Sequence, residues 1–260
     1  MTAARDASAA APERWVRVPD KLGYDLTRES ITGLLVGRPE ASGALVPACP
    51  GWTVRDLVAH LADVCRAVGD GTQVLPLEHP DPDEEAGLAE LLGRWPGLSA
   101  RVPERSEGLR GIIMTMDALT HELDLREALG EPLPVAHPAY PASLDLVALG
   151  MGLTVVAQGL PALRVETPGA DWVVGQGEPG ITVRGHRHDL FRSLTGRRTL
   201  GQISGLDWSG PPDRWLPAFT WGPFSPPELA VEAPAAERAG AAGAAGIGTA
   251  GVGARPAGRR

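Results

Sequence analysis

Asp117 and His121 are the two residues from which chemistry could start. They stand four positions apart in MTMDALTHELDLREALG (114–130), where Leu119, Leu123, Leu125 and Leu129 offer apolar surface and Arg126 and Glu127 a wet face. Gly130 followed by Pro132 stops the helix that this pattern predicts. At 3.6 residues per turn the two side chains lie one turn and about 40° of arc apart, so a carboxylate and an imidazole can reach one point. That is half of a metal site, and a third ligand has to come from another element. The best source is CPGWTVRDLVAHLADV (49–64), in which Thr53 reads as an N-cap, Asp56 completes a variant of the capping box and Trp52 occupies the staple position. His60 then falls two turns into a second helix, beside the stripe formed by Leu57, Leu61 and Val64. Asp56 has the same spacing to His60 as Asp117 has to His121, but its use as the N3 acid of its own helix leaves it out of the site.

Other chemistry-bearing residues are weaker candidates. Asp124 follows His121 by three residues, shares its face and could orient the imidazole, or be a solvated or arginine-paired acid near the helix end. His186 and His188 alternate in GHRHD, in a turn-like context before a helix start, and read as structural rather than as a second metal site. His79 reads as a loop residue. Cys49 and Cys65 are too few for a disulfide scaffold and read as reduced thiols. Cys65 is turned about 140° from His60 on a helix, a poor ligand and a good small core residue. Neither cysteine reads as a reactive thiol for the site.

The elements that must hold these residues follow from periodicity. A first helix is expected between Asp20 and Val36, with Leu22, Leu26, Ile31, Leu34 and Leu35 as an imperfect apolar face and Gly37 and Pro39 ending it. The second helix runs from Thr53 to about Val68. A third, led by Asp83, Glu84 and Glu85, carries Leu88, Leu91, Leu92 and Trp95 and is interrupted near Pro96. With the 114–130 helix these make a four-helix bundle, whose core is a usual place for inward-facing ligands. Residues 13–130 are therefore expected to form a metal-binding domain. After the proline-rich stretch 131–141 the pattern changes. A helix over 143–158 precedes three strands (163–167, 171–174 and 181–184) and a short helix over 189–194, an α+β domain expected over 141–231. Residues 1–12 read as a loose lead-in, and 232–260, nearly all Ala, Gly and Arg, as a disordered tail.

Composition bounds the partners. The chain has 260 residues, 43% of them apolar, and a net charge of −8, which argues against a nucleic-acid phosphate backbone as partner. The lead-in has no apolar h-region and the most apolar run, 146–157, is too short to span a bilayer, so the expectation is a cytoplasmic protein with no membrane partner.

WTVRDLVAHL, followed some sixty residues later by DALTHELDLREALG, resembles the mycothiol-dependent maleylpyruvate isomerase family of the DinB-like superfamily of metal-binding four-helix bundles. The resemblance covers about residues 14–225. It implies that His60, Asp117 and His121 hold a divalent metal, with zinc the best fit to the donor set, that mycothiol is the thiol co-substrate of an isomerase or S-transferase acting on a small electrophile, and that the second domain has a sterol-carrier-like fold. It further implies an arginine of that domain near a carboxylate substrate, Arg197 or Arg198. Where this chain has Asp117 the isomerase carries glutamate, one methylene longer, which bears on the metal position and on substrate choice. Two other classes stay open: a non-catalytic metalloprotein, with a regulatory role as one form of it, and a small-ligand carrier with the bundle as accessory.

Overall fold

The computed structural model describes residues 15–72, 86–106, 108–134 and 136–233. The expectations for residues 1–12, His79, Asp83, Glu84, Glu85 and 234–260 lie outside these.

Four helices lead the chain: α1 (Asp20–Leu35), α2 (Val54–Gly69), α3 (Leu88–Ser99) and α4 (Arg110–Leu129). The start of α2 is fixed by a reciprocal capping box. The Thr53 hydroxyl accepts from the Asp56 backbone N–H at 3.2 Å, and the Asp56 carboxylate accepts from the Thr53 backbone N–H at 2.9 Å. Gly130 ends α4 with φ 66°, a left-handed C-cap that a side chain would strain. Helix α1 packs along α4, and α2 lies against both α3 and α4, giving the four-helix bundle.

Three sequence expectations for these helices are corrected. Leu22 and Leu26, assigned to the apolar face of α1, are 46% and 37% exposed; the buried face runs through Tyr24, Thr27, Arg28, Ile31 and Leu35 instead. Helix α3 is not interrupted at Pro96, which lies inside it. Proline removes only its own ladder donor, its carbonyl still accepts from Ala100 N–H at 3.0 Å, and the buried Trp95 ring anchors the turn by donating to the Tyr24 hydroxyl at 2.7 Å. Helix α4 begins four residues before Met114.

The second half starts with α5 (Tyr140–Ala157), three residues earlier than periodicity placed it because Pro141 fits the first turn. The strands β1 (Leu163–Thr167), β2 (Ala170–Val174) and β3 (Ile181–Arg184) fall where the sequence put them to within a residue. Helix α6 (Arg187–Leu194) follows, then α7 (Leu200–Ser204) and β4 (Asp207–Trp208), both too short to give a periodic signal. The sheet order is β2-β1-β3-β4, with β1 antiparallel to β2, parallel to β3, and β3 antiparallel to β4. Strand alternation turns Leu163, Val165, Ile181 and Val183 to the core.

By length and composition α5 is long and apolar enough to cross a membrane, a property the expected shorter run lacked. Its Leu144, Val147, Met151 and Val155 are nevertheless fully buried in the core shared with the sheet and α6, while Leu149 and Leu153 lie outward. That division is the pattern of a core helix.

Two apolar clusters result, and α4 supplies both. Met114, Ala118 and Leu125 join the cluster among α1–α3, whereas Met116, Leu119 and Leu123 join the one formed with α5, the sheet and α6. One boundary also moves. Glu232, assigned by composition to the tail, is 7% exposed and ion-paired with Arg192 and Arg198.

The tightest joint in the second cluster is Gly150 against Trp221. A Cβ at Gly150 would lie 2.1 Å from the Trp221 ring, which is pinned by its Nε1–H donating to the Leu194 carbonyl at 2.9 Å. Gly150→Ala is therefore expected to cost about 1–3 kcal/mol, the usual range for overpacking, in urea unfolding followed by circular dichroism. An unchanged midpoint would show that the ring moves aside freely.

Candidate metal centre

Helices α2 and α4 bring His60, Asp117 and His121 together. One donor atom from each can be chosen so that all lie within 4.8 Å of one another, and all three side chains are mostly buried. The Asp117 carboxylate stands between the two rings, with Oδ2 3.4 Å from His60 Nε2 and Oδ1 3.4 Å from His121 Nε2. At that separation charge is felt but hydrogen bonding is poor, and His60 Nε2 and Asp117 Oδ2 are both buried with no hydrogen-bond partner. Buried polar atoms are costly to leave unsatisfied, and these two differ from others in the chain in facing each other within one cluster of ligand-type side chains. Each 3.4 Å separation, one to each carboxylate oxygen, is close to the edge of about 3.4 Å between two ligands of a tetrahedral ion bonded at about 2.0–2.1 Å.

Electrostatics act in the same direction. Burial raises the Asp117 carboxyl, but the imidazoles of His60 and His121 outweigh it and hold the group far below the usual carboxylate range. Burial lowers His121; the Asp117 charge and the bonds to Asp117 and Asp124 more than reverse that. The Trp52 ring, preceding the Thr53 cap, meets the His60 ring edge-on with centroids 5.3 Å apart.

Asp124 takes the orienting position. Its Oδ2 lies 2.9 Å from His121 Nδ1, which leaves Nε2 to face Asp117. It is not solvated: it has no exposed side-chain surface and also accepts from Arg192 and Arg197. Burial pushes its carboxyl up, and the charges of Arg197 and Arg192 hold it well below the usual range.

The two arginines offered as alternatives for a place near a carboxylate substrate separate. Arg197 reaches the site's edge, donating from Nη2 to Asp124 Oδ2 at 2.9 Å with the same nitrogen 3.9 Å from Cys49 Sγ. Arg198 is turned away, held by Asp189 at 2.9 Å and by Glu232. Asp56 stays in its capping box, and Cys65 is sealed in the core beside Tyr24. Cys49 departs from expectation, its sulfur lying 3.6 Å from Asp124 Oδ2 and 3.9 Å from His121 Nδ1. It still faces the Nδ1 side of the ring and not the nitrogen that faces Asp117. Sequence reasoning missed Cys49, Arg192 and Glu232. The cysteine directly precedes the motif containing His60, but no spacing rule relates it to α4.

His186 and His188 do not converge on a ligand. His186 caps α6, its Nδ1 accepting from the His188 backbone N–H at 3.3 Å, and His188 Nδ1 lies 3.0 Å from the Tyr140 hydroxyl. Burial, with Arg192 and Arg198 nearby, drives His188 from 6.5 down to about 2. A histidine kept neutral in the fold but protonated in the unfolded chain contributes stability above its unfolded value, and that contribution falls as pH drops below about 6.5. Between pH 7 and 5 this group should lower stability by about 2 kcal/mol. Urea unfolding across that range is expected to show a flatter slope for His188→Gln than for wild type; equal slopes would refute the assignment.

Residues 25–126 match the family model described as the mycothiol maleylpyruvate isomerase N-terminal domain. Two solved structures resemble the chain: the mycothiol-dependent maleylpyruvate isomerase, at 16% identity and TM-score 0.47, and a histidine-to-alanine mutant of it, at 15% and 0.48. Each comparison covers 73% of this chain and 91% of the other. No curated protein sequence matches. The family match takes in most of the four bundle helices and none of the second half of the chain.

Proposed function

We propose that His60, Asp117 and His121 hold one divalent metal ion, best matched by zinc, and that the protein is a mycothiol-dependent isomerase or S-transferase acting on a small electrophile. The observation carrying this reading is that His60 Nε2 and Asp117 Oδ2, both buried and without a hydrogen bond, face each other inside a cluster of two imidazoles and a carboxylate whose donor atoms lie within 4.8 Å of one another. The description of the matching family model is what suggests mycothiol as the thiol.

Two imidazoles and one carboxylate are the donor types of a catalytic zinc site, and three protein ligands leave a position for a small molecule. When bound, the ion supplies Lewis acidity, which favours the thiolate over the thiol in a coordinated sulfur compound. The chain's own groups do the rest. Asp124 holds the His121 ring so that Nε2 faces inward, and the Trp52 edge fixes the His60 ring. Buried Cys65 and the displaced Cys49 leave the thiol to come from outside the chain. Arg197, at the edge of the cluster, is the group placed to draw in an anionic substrate, although Asp124 already takes much of its charge.

Untagged protein should carry about one divalent ion per chain, by the usual stoichiometry of such sites. A His60→Ala, His121→Ala double variant should lose it, and Asp117→Glu should retain it with altered substrate preference. Metal-loaded wild type should consume mycothiol with members of a panel of electrophiles, measured by loss of free thiol. Metal that survives in the double variant would refute the centre. Folded, metal-loaded protein that neither binds the thiol nor turns over any member of the panel would leave a non-catalytic metalloprotein.

A further inference from the structure

Resting on the reading of His60, Asp117 and His121 as metal ligands, we propose that Glu232 is a positioning residue for the metal centre, acting through Arg192 and Asp124 on His121. Glu232 lies more than a hundred residues beyond the last ligand, in a segment that composition assigns to a tail. Its side chain is nevertheless buried, and its backbone carbonyl is anchored by the Gln202 side-chain amide at 2.9 Å. Its carboxylate accepts from Arg192 Nε at 2.8 Å and Nη2 at 2.6 Å, and it also pairs with Arg198.

Arg192 has no exposed surface and divides its donors three ways: to Glu232, to the Thr120 carbonyl on α4 at 3.1 Å, and from Nη2 to Asp124 Oδ1 at 2.5 Å. The other Asp124 oxygen receives His121 Nδ1 at 2.9 Å. The buried cluster is balanced, with Arg192, Arg197 and Arg198 against Asp124, Asp189 and Glu232. A guanidinium does not give up its proton in a protein. With the Glu232 charge removed, Arg192 stays cationic, and Asp124 is the other carboxylate it touches. Asp124 is then drawn toward Arg192 and away from His121 Nδ1, and the ring loses what aims its Nε2 at the site. Partners that orient metal-ligating imidazoles are worth roughly 10–100-fold in metal affinity; Glu232, acting one residue further out, should be worth roughly tenfold.

The test uses the full chain with Glu232→Gln, which removes the charge and keeps the shape, and Glu232→Asp, which keeps the charge on a shorter arm and so guards against a glutamine variant that fails to fold. Two quantities are measured below the melting temperature. Zinc affinity is read by competition with a chromophoric chelator. The His121 Nδ1 proton of the metal-free protein is followed by NMR, with His137, held by Glu122, as internal control. Glu232→Gln should bind zinc roughly tenfold more weakly and lose the slowly exchanging His121 Nδ1 signal while His137 is unchanged, and Glu232→Asp should fall between it and wild type. If either folded variant merely melts earlier, with wild-type zinc affinity and an unmoved His121 signal, Glu232 is structural only and the proposal fails. If wild type itself binds no zinc, the metal reading fails on its own, and the His121 signal still decides whether Glu232 positions that ring.

Discussion

Asp124 is the residue on which the arrangement turns. It has no exposed surface, and four side chains compete for its two oxygens: His121, Arg192, Arg197 and Cys49. An ionised carboxylate at that depth persists only where cations compensate it, and the two guanidiniums that do so come from the second half of the chain. Replacing such a cluster whole with well-packed apolar residues can be neutral for stability, whereas removing one member typically costs about 3–5 kcal/mol. Its contribution is therefore better read as fixing one arrangement than as adding stability. It sets where the 192–198 segment must lie against α4.

Helix α4 makes that constraint felt at the donor cluster. A helix buried around most of its circumference cannot rotate without opening a cavity in one core or the other, since Met114 and Ala118 pack to one side while Met116 and Leu119 pack to the other. Asp117 and His121 are thus placed by packing along the whole helix, and the Asp124 bond settles the remaining freedom of one ring. His60 is placed by other means. The Thr53 capping box fixes where α2 begins, and the burial of Leu57, Leu61 and Val64 fixes which way it faces.

Local signals in the sequence translate well because their causes are local. The D-x-x-x-H spacing, the T-x-x-D box, the stop at Gly130 and three short strands between turn residues are each decided within a few positions. The α1 face shows where that fails: Leu22 and Leu26 look like core residues by type, yet the buried side is lined by Tyr24, Thr27 and Arg28. Pro96 fails in the other direction, because the packing of Trp95 outweighs one missing hydrogen bond. The ion cluster leaves still less trace. Arg192, Arg197 and Arg198 look like surface residues in any window, and Glu232 opens a run of small residues. Only tertiary contact across α4, α6 and the end of the described chain gives them partners.

The division of labour along the chain bears on how far the family match carries. The stretch 25–126 contains His60, Asp117 and His121, and with them Asp124, the carboxylate bonded to His121. It contains none of Arg192, Arg197, Arg198 or Glu232. Donor chemistry thus belongs to the bundle, whereas the charges that balance Asp124 and the cation nearest the cluster come from the part of the chain outside the match. Two proteins with the same bundle can share a donor set and still differ in what they accept, because the surface beside that set is built from different sequence. Here that surface includes Arg197, bonded to Asp124 Oδ2 at 2.9 Å, so a change at Arg197 would alter the charge beside the cluster while leaving His60, Asp117 and His121 in place.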